Sequence, residues 1–512
     1  MTGGLQQQAT GFQCLPMLRF VFLLLVLPHA MHAQIKHDYV WLFGPEGPYG
    51  TMLDFGNPGT DQNPVDLPFY LGMESAMISN KDGYLKYYTS GCSIADVSNE
   101  ILPGADSLNP GYYYENYCSF GGNYVSGNQS MVWLPQDSKY QLVYKHEDIY
   151  FNPNNTVTYI TDALLFTEIY NNVVTVVNKP ILTDTLSFAT LAMVPGTSDH
   201  RSWVVTPLDS SDIYYIVGIT ENTTFDIAKQ KYPEIIRRNH NGDVAKFSPD
   251  GSMYIGYESA YLDQSLKVFS FDRESGNLEY LFSLPHPEET TSLVGGIEFS
   301  PSGRFLYVST WSTIYQYDME ASDIETSKTV VAEYDGFVDL FPSTFHVMQR
   351  GPDCRIYINS PNSNKYLHVM MHPDVKGPDC EVRQHEIKLY YNHQISMPYF
   401  PNYRLGTGEP VCDSTLSLPT SIPVVSLPEE GLRIWPNPAS GDCRVMLAPG
   451  VLRMAVTLDV VDLWGRSVLT RDLTTNYEEV IPIDVSLLIP GVYFIRVIGR
   501  HGERWVERLV VE

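Results

Sequence analysis

Six cysteines lie beyond residue 33: Cys92, Cys118, Cys354, Cys380, Cys412 and Cys443. None stands in a CxxC spacing, so the expected chemistry is oxidation to disulfides rather than metal binding. Sequence alone does not choose among the pairings. Cys92 with Cys118 and Cys354 with Cys380 are the neighbouring pairs, each 26 positions apart. They are the expected bridges, and closing each loop would contribute roughly 3 kcal/mol in the chain-entropy picture. Cys412 and Cys443 stay unassigned.

The other reactive side chains spell out no catalytic set. His146-Glu147 and His385-Glu386 lack the second histidine of HExxH, and no GxSxG elbow occurs. His368 and His372 are four apart, but in strand-like sequence ahead of Pro373, where structural histidines are expected. The acids Asp54, Asp61 and Asp66 lack the alternation of a calcium loop and read as a solvated loop. No catalytic residue, cofactor site or metal site is assigned. One stretch, GYYYENYCSFGGNY at 111–124, concentrates aromatic rings. Tyr112, Tyr113, Tyr114 and Tyr117 would either stack against a sugar ring or pack between structural units, with Phe120 and Tyr124 beside them.

Composition narrows the partners. The chain has 512 residues, 59 acids against 33 Lys plus Arg, and a formal charge of −26. That balance opposes binding to nucleic-acid phosphate or to an anionic membrane. Arg19 followed by FVFLLLVL at 20–27 and HAMHA at 29–33 reads as a cleavable signal peptide over 1–33, with Met17 as an alternative start. The apolar run is far shorter than the roughly 20 residues of a membrane span. Cys14 precedes that run and is no lipid-attachment site.

These groups must be positioned by β-structure, because a hairpin signature recurs along the chain. AKFSPDGSMYIGY at 245–257 and IEFSPSGRFLYVS at 297–309 each set a Ser-Pro-Asp/Ser-Gly turn between strand-like runs, and MQRGPDCRIYINS at 348–360 is a third copy. Turn signals at Asp82, Asp137, Asp199, Asp250, Ser302 and Asp353 are separated by 55, 62, 51, 52 and 51 residues. A period near fifty with several strands per repeat is the signature of propeller blades. Residues 34–406 therefore predict a β-propeller of about seven blades, one of them assembled from both ends, with YVWLFG at 39–44 pairing near the far end. NNVVTVVNKPIL at 171–182 reads as two short strands, and DIAKQKYPEIIRR at 226–238 as a short surface helix or loop.

Residues 407–431 are rich in Pro, Ser and Thr and read as an extended linker. Beyond it, 432–512 hold nine arginines, no lysine and ten acids, a net of −1, so nearly all the negative charge lies upstream. Short alternating strands with turns at Pro436-Asn437-Pro438, Trp464-Gly465-Arg466 and Pro490-Gly491 predict a small, immunoglobulin-like β-sandwich. The whole chain is expected to be all-β.

Four blocks of the tail, WPNPASGDCRVML (435–447), VVDLWGRSV (460–468), IDVSLLIPGVYFIRV (483–497) and ERLVVE (507–512), carry a resemblance. In that order they resemble the type A C-terminal sorting domain of the type IX secretion system of Bacteroidota. The family's pattern is a YPNP start, a D-x-x-GR turn, an ID-x-S-x-L-x-x-G-x-Y segment and a closing KLV strand. It maps onto Pro436, Asn437, Pro438, Gly465, Arg466, Asp484, Gly491 and Tyr493, with Trp435 for the common Tyr and Arg508 for the frequent Lys. The resemblance implies a secreted or outer-membrane-surface protein whose partner, through 432–512, is the type IX machinery, and a tail removed after translocation. SNKDGYLKYYTSGCSI (79–94), the FSPDG and FSPSG turns and MPYFPNYRLG (397–406) are similar to a WD40/YVTN-like propeller family of the same bacteria. Arg201-Ser202-Trp203 departs from its Arg-Asp-Trp. That family carries no single activity. The expected role is binding of a glycan or protein on the propeller face, or a structural role; the alternative is a polysaccharide hydrolase or lyase.

Overall fold

The computed structural model describes residues 1–4, 35–44, 49–56, 62–72, 74–118, 127–136, 138–153, 157–198, 200–232, 242–259, 265–286, 294–393, 395–418, 432–447, 455–473, 480–499 and 504–512. Of the signal peptide expected at 1–33, residues 5–33 lie outside them. The chain divides into two compact units, 1–420 and 421–512.

The repeated turn does the local work. In the copy at 248–253, Gly251 N–H donates to Ser248 O (2.8 Å) and Ser248 N–H to Met253 O (2.9 Å), and Asp250 Oδ1 accepts Ser252 N–H (3.0 Å). Gly251 sits at φ 72°, which side chains with a Cβ resist. Gly303 repeats this at φ 79° and Gly83 at φ 95°. In the third copy the equivalent residue is Cys354, held at φ 68°. Positions 137 and 199 lie outside the described residues, although the strands flanking each are in place. Every one of the six turn signals joins the first strand of a sheet to its second.

Among the described residues seven antiparallel sheets result in the first unit. Their first strands are Val40–Phe43, Ala76–Ser79, Met131–Gln136, Ala192–Pro195, Val244–Phe247, Gly296–Phe299 and Met348–Arg350. Strands are added outward in sequence order, three in the first two sheets and four in the rest. The first sheet meets the second, the second the third, and the fourth to seventh meet in order through these first strands. Between the third and fourth sheets, Leu191 N–H donates to Gln129 O (2.9 Å). The seventh meets the first through Trp41 and Tyr357, whose rings cross at 5.1 Å. This is a seven-bladed β-propeller, with an apolar core running through all seven sheets.

The ring closes differently from the expectation. Among the described residues no blade is assembled from both ends: the first sheet lies within 40–66, and the ladder partner of Val40–Phe43 is Tyr49–Asp54. The far end arrives as irregular chain whose side chains seal the seam. Phe400 stacks on Trp41 (5.8 Å), Tyr391 N–H donates to Thr51 Oγ1 (3.1 Å), and Arg404 grips Asp38 through both guanidinium nitrogens (2.8 and 2.5 Å). Proline and aromatic residues in MPYFPNYRLG suit such packing better than a sheet ladder.

Four other expectations are corrected. Cys354 is bonded to Cys412, 58 positions away, while Cys380 is a buried free thiol. Cys380 lies in the 3₁₀ turn Gly377–Cys380, against Phe305 and Tyr307. Chain proximity misled because the seam brings 412 to the turn at 351–355. Cys92 is bonded to Cys118. In the stretch 171–182, Asn171 and Asn172 form a turn and the rest belongs to one bulged strand, Val173–Leu186. In 226–238, Phe225–Lys231 is the outer strand of the fourth sheet, where pairing with Ile213–Ile219 overrides helix formers; Tyr232 is buried, and 233–238 lie outside the described residues. The first part of the presumed linker is docked: Asp413 N–H donates to Pro352 O (2.7 Å) and Leu416 O accepts Arg355 Nη1 (3.1 Å). Residues 419–431 lie outside the described residues.

The second unit is a β-sandwich of a three-stranded and a four-stranded sheet around Val445, Leu458, Val460, Ile483, Ile495 and Val497. Among the described residues no helix is long and apolar enough to cross a membrane.

Candidate functional site

The fifty-residue period also sets what faces the ring's axis. Lys246, Glu298 and Gln349 each stand four residues before their turn signals, Asp250, Ser302 and Asp353. In the ring these equivalent positions converge: Lys246 Nζ donates to Glu298 Oε2 (2.9 Å) and to Gln349 Oε1 (2.8 Å). Arg350 Nη1 approaches Glu298 Oε1 at 3.8 Å, and its backbone N–H donates to Glu298 Oε2 (3.1 Å). Burial lowers the Lys246 ammonium's pKa, against the pull of Glu298. The aligned spacing was a signal open to sequence reasoning, and it went unused.

The seam segment covers this cluster. Gln349 exchanges hydrogen bonds with the backbone of Phe400, and Tyr399 OH accepts Met193 N–H (3.1 Å) while its ring lies under Lys246 Nζ. The space left among Met193, Lys246, Glu298, Arg350, Tyr399 and Phe400 is about 20 Å³. That is room for one water and far too little for a sugar ring. The arrangement is an internal polar lock. A second buried group surrounds Lys145, whose Nζ donates to Ser187 O (2.6 Å), Ser187 Oγ (3.1 Å) and Ala189 O. Burial brings this lysine down to about 7 and raises the nearby Glu147 carboxyl well above its usual range.

The tyrosine stretch does not form a platform of four rings. Residues Tyr112–Asn116 make a short helix. Tyr113 is buried under the Cys92–Cys118 bridge beside Ile149 and stacks on Tyr117 (4.7 Å). Tyr114 OH is committed to Asp106 O (2.6 Å). Tyr112 and Tyr117 are exposed, and Tyr112 meets Phe151 edge-on at 4.8 Å. Helical spacing forces this split, since residues 113 and 117 share one face while 112 and 114 turn away from it. Phe120 and Tyr124 lie outside the described residues.

The histidines are structural or surface groups. His368 is fully buried, accepting His385 N–H at Nδ1 (3.1 Å) with Nε2 3.3 Å from Thr344 O, and burial drives its pKa down to about 3. His372 points outward toward Glu381. Among the described residues no three His, Cys, Asp or Glu side chains are grouped to hold a metal. Asp54 caps Gly56 N–H (2.7 Å), and Asp61 lies outside the described residues.

In the sandwich, the motif residues gather at one end. Trp435 pairs with Arg444, Asp484 with Asp442, Val461 with Phe494 and Gly491 with Val511, so all four sequence blocks reach the same edge of the unit. There they hold loops. Asn437 Nδ2 donates to Arg508 O (2.6 Å) and its Oδ1 accepts Val510 N–H (2.8 Å). Asp462 accepts Trp464 N–H, Arg466 N–H and Arg466 Nε around Gly465 at φ 78°. Asp484 Oδ1 accepts Ser486 N–H (2.8 Å), and Tyr493 OH donates to Ile489 O (2.8 Å). Pro436 and Pro438 follow cis bonds that shape the first of these loops.

Comparison with known proteins agrees with this unit. Residues 433–512 match the family described as the secretion system C-terminal sorting domain. No curated protein matches the chain in sequence. Among solved structures, a candidate 6-phosphogluconolactonase from Bacteroides uniformis aligns at 12% identity and TM-score 0.38, covering 65% of this chain and 92% of its own. Another from Bacteroides fragilis aligns at 9% and 0.35, covering 67% and 92%. Hsv2 of Kluyveromyces lactis aligns at 7% and 0.34, covering 65% and 89%. At such scores these likenesses carry no inference about activity.

Proposed function

We propose that this protein is a cargo of the type IX secretion system, exported by its C-terminal sandwich, and that its seven-bladed ring is a binding or structural module at or beyond the cell surface. The observation that carries the first half is the sorting-domain match over 433–512, with its motif residues assembled at one end of the unit. The signal-peptide pattern at 1–33 and two disulfides in the ring suit an oxidising, exported setting. Binding is favoured over hydrolysis because Glu298, the acid beside the axial cavity, is engaged by Lys246 and Arg350, and the cavity there admits no sugar. A ligand would instead meet an outer face of the ring, where Tyr112 and Tyr117 offer exposed rings.

The test is export of the full chain against a form ending at Gly431. The full chain should reach the medium or the outer surface and the shortened form should stay in the periplasm. Equal export of both would end the reading. Glycan and peptide arrays with the exported protein then test the ring: retention of one ligand class, weakened by Tyr112→Ala, supports binding, and cleavage of an arrayed glycan overturns it.

A further inference from the structure

The end of the sandwich where the motif residues gather also carries, among the described residues, the unit's most exposed large apolar side chains. Leu463 and Trp464 stand 64% and 79% exposed at the tip of the Asp462–Arg466 turn, and Leu487 and Ile489 stand 93% and 78% exposed in the loop at 485–490. The two tips belong to one edge, because Val461, just before the turn, pairs with Phe494, just after the loop. Between the outward pair, Leu488 packs into the core, and its N–H donates to Val485 O (2.9 Å). Neither tip is loose. Asp462 takes three donors from the turn, Arg466 covers the Trp464 ring at 5.2 Å, and Tyr493 OH pins Ile489 O. The motif's polar residues thus act inside the unit, and the side chains they present to the outside are apolar.

We propose that Leu463, Trp464, Leu487 and Ile489 form the docking surface through which the sorting unit is recognised, and that the occupant is an apolar recess on a protein of the export apparatus. The proposal rests on the sorting function argued above and names its contact surface. Large apolar groups held rigidly in water mark an interaction site, and a preformed surface loses little conformational freedom on binding. The charge of the unit argues for a protein rather than a lipid surface. Over 432–512 it holds no lysine, its nine arginines are outnumbered by ten acids, and Arg466 beside the tips is already paired with Asp462.

The experiment uses the full chain in its native host with two double variants, Leu463→Ser/Trp464→Ser and Leu487→Ser/Ile489→Ser. Val506→Ser, equally an exposed apolar change but on a strand, is the control. The purified variants should melt with the parent chain, since these side chains pack on nothing in the core. Export of each double variant should fall more than tenfold, with precursor held in the periplasm, while the control is exported normally. Normal export of both double variants overturns the surface even when the form ending at Gly431 fails to leave the cell; normal export of that shortened form overturns the sorting reading itself. Sedimentation showing parent dimers that the double variants lose would reassign the surface to a second copy. Co-sedimentation of the parent, but not the variants, with zwitterionic or anionic vesicles would reassign it to lipid, and either result overturns the proposal.

Discussion

A buried histidine is a quiet residue until the pH changes. His286 and His368 are held neutral by burial, each with its pKa driven down to about 3, and His393 to about 4. In the unfolded chain each would titrate near 6.5. Below that pH the unfolded state binds protons that the folded ring refuses. Stability is therefore intact above about pH 7 and falls as pH drops from 6.5 toward 4, by up to roughly 1.4 kcal/mol per histidine per unit. Thermal melts at pH 7.5, 6.0 and 5.0 should show a steady decline, and His368→Gln should make it shallower, with His286 and His393 carrying the rest. An unchanged melting temperature across that range would contradict the assignment. The sequence pattern placed His368 in a strand before a proline and favoured a structural role. Lys145 and Glu147 stand two apart on the strand Lys139–Phe151, so alternation hints at a shared neighbourhood, but that it is buried depends on which blades meet.

At the scale of elements, the hairpin turn was the most legible feature of the chain. Its Pro, Asp and Gly carry backbone demands that do not depend on distant contacts, so turn positions and blade order could be read directly. The outer strands were harder, since Phe225–Lys231 and Val173–Leu186 owe their form to the neighbour they pair with. The turn glycines give a graded test. A Cβ at Gly251 would lie 2.6 Å from Arg273 Cδ and 2.8 Å from Leu405 Cδ2 and Val194 Cγ2, on top of its positive φ. At Gly303 the nearest atom is Pro249 Cδ at 3.3 Å. Gly303→Ala should cost about 1 kcal/mol from backbone strain alone. Gly251→Ala should cost clearly more, about 2–3 kcal/mol, because packed neighbours must also shift. Urea titration of the two variants decides the order, and equal losses would mean that the crowding at Gly251 relaxes freely. The sorting motif was legible through the resemblance of its four blocks to a known family, and not through local chemistry alone, since Asn437 bonds to Arg508 and Val510 at the far end of the unit's sequence. The apolar tips follow no such pattern and were passed over.

Across the whole molecule, the seam departs furthest from what the sequence suggested. Two cysteines of unequal neighbourhood, 354 and 412, tie the last blade's first turn to the chain beyond the ring. Closing 58 residues removes more freedom from the unfolded chain than closing 26, about 4 kcal/mol against roughly 3. Cys354→Ser/Cys412→Ser should therefore lower stability more than Cys92→Ser/Cys118→Ser. The second pair secures only a peripheral helix beside the strand Lys139–Phe151. Denaturation midpoints of the two double variants test this, and the reverse order would show that the seam is held mainly by Arg404 and the aromatic contacts. Those contacts have one mechanical meaning. Since no strand is shared between the two ends of the wheel, a load entering at residue 35 and leaving at residue 418 is not resisted by a ladder of backbone hydrogen bonds. It falls on one guanidinium–carboxylate clasp, the Tyr391–Thr51 hydrogen bond and a few stacked rings, while the disulfide ties only two points of the far end, so the join should part before any blade is peeled.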